Sequence, residues 1–153
     1  MRRLKFLVLV LIGSSIISLT SCSKDDDTVE DIRNQYVGTW NYTELGSLTL
    51  YHNGQNAGTV PIDTNGSMSI TKSGENDLII NGKRFTVNRT HLSSDPESIT
   101  ETTDGVNIVA TFTRNGTLGS NIITINSSIT GTWNNSYGAS GNLSGSTTTT
   151  LTK

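Results

Sequence analysis

The chain has 153 residues, a formal net charge of −2 and a hydrophobic content of only 33%. That length bounds it to about one domain, and 11 Lys and Arg against 13 Asp and Glu exclude the basic stripe that nucleic-acid binding needs. A single cysteine, Cys22, excludes an intramolecular disulfide, so the fold must rest on its own core.

In chain order, Arg2, Arg3 and Lys5 precede an unbroken apolar run from Phe6 to Ile12. The run is far shorter than the roughly 20 residues of a membrane-spanning helix. It has the anatomy of a secretory signal, residues 1–21, and is set aside from the fold. These residues carry three basic and no acidic groups, so their removal leaves 132 residues with a net charge of −5. Leu19-Thr20-Ser21-Cys22 resembles a bacterial lipobox, which implies cleavage before Cys22 and a membrane anchor of lipid on its thiol. The following Ser23-Lys24-Asp25-Asp26-Asp27 resembles the export signal of Bacteroidota-type surface lipoproteins. That resemblance implies an outer-membrane location with display at the cell surface, directed by Lys24, Asp25, Asp26 and Asp27. The alternative for the acidic run is a solvated linker. Asp27-Thr28-Val29 resembles the Asp-Thr-aliphatic O-glycosylation motif of the same class of exported proteins, which would place a glycan on Thr28.

Residues 22–35 read as an acidic polar tether, with helix-like spacing of Val29, Ile32 and Tyr36 towards its end. Residues 36–153 read as the folded domain. From Trp40 to Leu50 the even positions are mostly apolar and the odd ones polar, the period of a strand with one inward face. Further strands are expected at 59–62, 67–72, 77–80, 83–92, 98–103, 106–114, 117–130 and 142–152. Asn53-Gly54, Asn65-Gly66, Ser73-Gly74, Asn81-Gly82, Asp104-Gly105 and Asn115-Gly116 read as the turns between them. Eight or nine strands joined by tight turns predict an all-β, antiparallel up-and-down barrel, which removes exposed edges. A two-sheet sandwich is the alternative, but it needs longer crossovers.

"GTWN" occurs at 38–41 and again at 131–134, with flanks too different for a duplication. The first copy, at the start of the first strand, resembles the Gly-x-Trp signature of the lipocalin and calycin superfamily. That resemblance implies that Trp40 plugs one end of the barrel over Gly38. Lipocalins stack an arginine from near the end of the last strand over this Trp; the expected last strand has none, and Arg114 is the nearest candidate. The second copy is similar to the opening of avidin's first strand, but too little chain follows it for a new barrel. Trp133 is instead expected to end a strand whose odd positions, Ile123, Ile125 and Ile129, face inward.

His52 and His91 are isolated and lack a third partner at metal-ligand spacing. No nucleophile elbow or phosphate-cradling loop is present. The chain therefore reads as non-enzymatic, with no cofactor and no metal. Its informative residues are polar groups on apolar strand faces: Glu44 beside Trp40 and Tyr42, Arg89 and His91 beside Phe85, and Arg114 beside Phe112. An apolar cavity with a few fixed polar groups is the usual design for a small ligand. These eight residues are the candidate ligand-binding set, for an apolar or amphipathic small molecule, and Glu44 is expected to pair with Arg89, His91 or Arg114. The rival reading is a structural or interaction module with a filled barrel that meets a partner protein or glycan through its loops.

Overall fold

The computed structural model describes residues 31–153. The expected signal peptide, Cys22, the run Lys24 to Asp27, Thr28 and most of the tether lie outside the described residues.

The chain folds as one antiparallel sheet: β1 (Gly38–His52), β2 (Gln55–Ser73), β3 (Asp77–Ile80), β4 (Lys83–Asn88), β5 (His91–Ser93), β6 (Glu97–Thr103), β7 (Val106–Leu118), β8 (Ile122–Asn135) and β9 (Ser140–Thr152). Successive strands are neighbours, β9 returns to pair with β1, and β5 pairs with β7, so the sheet closes into a barrel-like ring. The break between β5 and β6 falls at 94–96, where Pro96 cannot donate to a ladder. Both pieces lie along β7: β5 beside Asn115 to Thr117, β6 beside Val106 to Phe112.

The closure is uneven. Near the start of β1 the ring is complete through β3, β4 and β5. Towards the other end, β3 is too short to follow β2, whose pairing with it covers only Ile70 to Ser73. The outer edges of β2 and β6 there have no strand beside them among the described residues. Pro61 sits on that open stretch of β2, an edge position proline tolerates.

Alternation builds the core as expected in β1 and β8. Trp40, Leu48, Ile123, Ile125, Ile129 and Trp133 are buried, while their outward neighbours are polar except for the exposed Ile122. The apolar side chains form two clusters. One surrounds Trp40 with Tyr36, Ile70, Leu78, Phe85, Leu92 and Leu151. The other gathers Leu48, Ile108, Ala110, Ile129, Trp133 and Leu143. Between them the inward positions are polar or lack a side chain: Ser127, Thr147 and Thr149 are buried there.

The two GTWN segments hold opposite ends of β1. Trp40 Nε1 donates to the Tyr36 carbonyl at 2.8 Å. Trp133 Nε1 donates to the Tyr51 carbonyl at 3.1 Å. The cation over Trp40 is Lys153, whose Nζ lies 5.4 Å from the ring centre, not Arg114.

Three sequence expectations change. Asn65-Gly66 and Asn115-Gly116 are not turns: they lie inside β2 and β7. At the true hairpins Asn53, Asn81 and Asp104 and the glycines after them all take positive φ, whereas these two pairs do not. Gly116 is required by packing instead, since a Cβ there would come within 2.3 Å of the Thr124 carbonyl. The β7–β8 turn is at 119–121. The expected strand 83–92 is split by a turn at Arg89, φ 56°.

The domain also begins before residue 36. Ile32–Tyr36 is a short 3₁₀ helix capped by Asp31. Arg33 is buried, pairs with Asp31 at 2.8 Å and donates through Nη1 to the carbonyls of Gly74 and Asp77, each at 3.1 Å. The Arg33 hydrogen bond holds the Asp31 carboxyl well below the usual range. Residues 31–35 therefore pack on the sheet and are not tether.

Candidate functional site

A cavity of about 440 Å³ opens between β2 and β6, in the half of the ring that is not closed. Its walls are Leu48, Ile62, Ile99, Ile108, Ala110, Phe112 and Ile129, with Glu44, Glu97, Thr100, Glu101, Arg114 and Thr147 as the polar lining. Strand register explains the space. At one level round the ring Leu48, Gly145, Ile129 and Phe112 are neighbours; one step towards the closed end come Gly46, Thr147, Ser127 and Arg114. Gly46 and Gly145 put no side chain inside at these levels. Both let the backbones of β1 and β9 come close, since a Cβ on Gly145 would meet the Ser47 carbonyl at 2.3 Å.

The electrostatics centre on Glu97, the first residue of β6. Its Oε2 accepts from Arg114 Nη1 at 3.0 Å, and its Oε1 pairs with Lys83 of β4. Burial pushes its carboxyl up, but the two cations outweigh that and hold it below the ordinary value. Arg114 also lies over the Phe112 ring, 4.9 Å from its centre. Glu97 and Arg114 also line a second, shallower groove at the β5–β6 break, with Lys83, Arg84 and Asp95. Their pair forms the partition between the two spaces.

Glu44 has neither an ion pair nor a hydrogen-bond partner among the described residues. The expected pairing with Arg114 is replaced by Arg114–Glu97, because register sets Glu97 opposite Phe112, one level from Arg114. Arg89 and His91 cannot serve: both are exposed at the β4–β5 turn, where the chain leaves the core.

Of the eight candidate ligand-binding residues, the structure brings Glu44, Phe112 and Arg114 to the cavity. Trp40 and Phe85 are buried in the other cluster, and Tyr42 packs against it. Sequence reasoning missed Glu97, Ile99 and Glu101, because β6 alternates two polar faces with only Ile99 to mark the inner one. It also missed Thr147, which looks like any other threonine of "STTTT".

Comparison with protein-family models, with curated proteins and with solved structures gave no match.

Proposed function

We propose that the chain is a non-enzymatic, lipid-anchored protein of the outer membrane, displayed at the cell surface, that holds a small apolar or amphipathic molecule in the cavity between β2 and β6. The cavity carries this reading: its volume falls within the usual range of roughly 300–1,000 Å³ for small-ligand sites. Its lining also has the usual character, an apolar wall with a few placed polar groups. A module acting only through its loops has no need of an open interior. The lipocalin-like resemblance gains support from Trp40, buried over the start of β1 beneath a cation from the end of the last strand. Lysine there takes the place of the family's arginine.

Native mass spectrometry of the full chain purified from its membrane tests the reading. A co-purified molecule of lipid size, lost when Ala110→Trp fills the cavity, is the expected result. Identical spectra for the two proteins would overturn it, provided the variant still unfolds cooperatively.

A further inference from the structure

We infer that the cavity selects a ligand with a cationic, hydrogen-donating head, a primary ammonium group, seated between Glu44 and Thr147. This rests on the small-molecule reading above and specifies the chemistry of the same site.

Two independent observations converge on it. The lining carries three carboxylates, Glu44, Glu97 and Glu101, against one guanidinium, Arg114. Arg114 is already engaged with Glu97 and the Phe112 ring. Glu101 takes a hydrogen bond from Thr103 at 3.4 Å. Of the three carboxylates, Glu44 is the one that faces the cavity without a partner among the described residues. A carboxylate drawn partly out of water favours an opposite charge beside it.

The second observation concerns hydroxyls. Thr147 faces the cavity at 4% exposure, and its Oγ1 has no hydrogen-bond partner among the described residues; nor has the buried Oγ1 of Thr64. Register sets Thr64 opposite Glu44 on β2 and Thr149 opposite it on β9; Thr147 stands opposite Gly46, the next inward position of β1, so it is the diagonal neighbour of Glu44 on the cavity side. Buried hydroxyls without partners are destabilising. A primary ammonium offers three donors and no acceptor. It can satisfy the Glu44 carboxylate and the Thr147 oxygen together, while the apolar body lies along Leu48, Ile129 and Phe112. A carboxylate head would add a fourth negative charge to the lining.

Titration calorimetry of the full chain at pH 7 with dodecylamine, dodecanoate and 1-dodecanol tests this with one tail and three heads. We expect dodecylamine to bind at least about tenfold more tightly than either of the others, the scale of a hydrogen bond to a charged group. Glu44→Gln should remove that preference and leave dodecanol affinity unchanged. Thr147→Val should weaken dodecylamine alone and raise the thermal midpoint of the ligand-free protein, because it deletes an unpartnered buried hydroxyl. Equal affinity for all three, or tightest binding of dodecanoate, overturns the ammonium head and leaves the small-molecule reading standing. Binding of none of the three overturns both.

Discussion

Lys153 Nζ lies 5.4 Å from the centre of the Trp40 ring and donates to the Gln35 carbonyl at 2.9 Å. The end of the last strand is thereby tied to the 3₁₀ turn that precedes the first. The indole is sealed from below by Tyr36, whose ring centre is 6.4 Å away.

Trp40→Ala should therefore destabilise the domain by about 3–5 kcal/mol, the range for emptying a buried aromatic site. Lys153→Ala should cost no more than about 1 kcal/mol, as an exposed cation–π contact does. Urea titration measures both. A loss below about 1 kcal/mol for Trp40→Ala would show that the end of the ring is not held by this residue.

The Glu97 network sets a pH dependence. Its folded carboxyl is depressed below the ordinary value of 4.5, so its contribution is present above that value and is lost as pH falls through the lower folded value. Asp31, held lower by Arg33, should give way later on the same descent. Unfolding free energy should thus decline below about pH 4.5, and Glu97→Gln should flatten the first part of the decline. Denaturant titrations from pH 7 to pH 3 check it; parallel curves for the two proteins would refute the assignment.

Glycines inside the strands separate two kinds of site. A Cβ on Gly131 would stand 2.0 Å from the Val109 carbonyl, a backbone atom that cannot move aside. Gly131→Ala should cost about 1–3 kcal/mol, the scale of overpacking. Gly58→Ala, with nothing within 4 Å of the new methyl, should change stability by less than about 0.5 kcal/mol. Thermal unfolding of both variants gives the contrast, and similar midpoints would contradict it.

The proposed anchor is tested separately. Cys22→Ala should keep the protein out of the detergent phase when membranes are extracted. Replacing Asp25, Asp26 and Asp27 with Ala should protect the otherwise intact protein from protease added to whole cells. Equal shaving of the variant and the parent would mean that the acidic run is only a linker.

What the sequence discloses depends on contrast between strand faces. In β1 and β8 one face is apolar and the other is not, so Trp40, Leu48, Ile125 and Ile129 announce their side. In β2 the apolar alternation of Val60, Ile62, Met68 and Ile70 is interrupted at Thr64 and Gly66, which hides its full length, and in β6 both faces are polar except at Ile99, which hides its inner residues. Asn-Gly pairs mislead for a related reason: a glycine is needed equally by a hairpin at Gly54 and by a close backbone approach at Gly116. The cavity is less legible still. It arises because Gly46 and Gly145 fall at neighbouring levels of the ring while β3 is too short to follow β2. That is a property of register, which no single stretch of sequence contains. Glu44 could be placed inside from its strand alone; its lack of a partner could not be seen, because Glu97 takes Arg114 from a strand whose alignment only the whole sheet decides.

The pairing of β1 with β9, from Asn41 opposite Thr152 to Tyr51 opposite Asn142, has a kinetic consequence. The first strand to leave a ribosome or an export channel finds one neighbour at once in β2. Its other neighbour is the last strand to arrive. Closing so long a loop is entropically slow, and contacts this distant in sequence mark a slow-folding topology. Until β9 emerges, β1 and β8 both present bare edges that invite pairing with other chains. The nascent domain is thus a client for whatever escorts unfolded chains until β9, Ser140–Thr152, is free to pair.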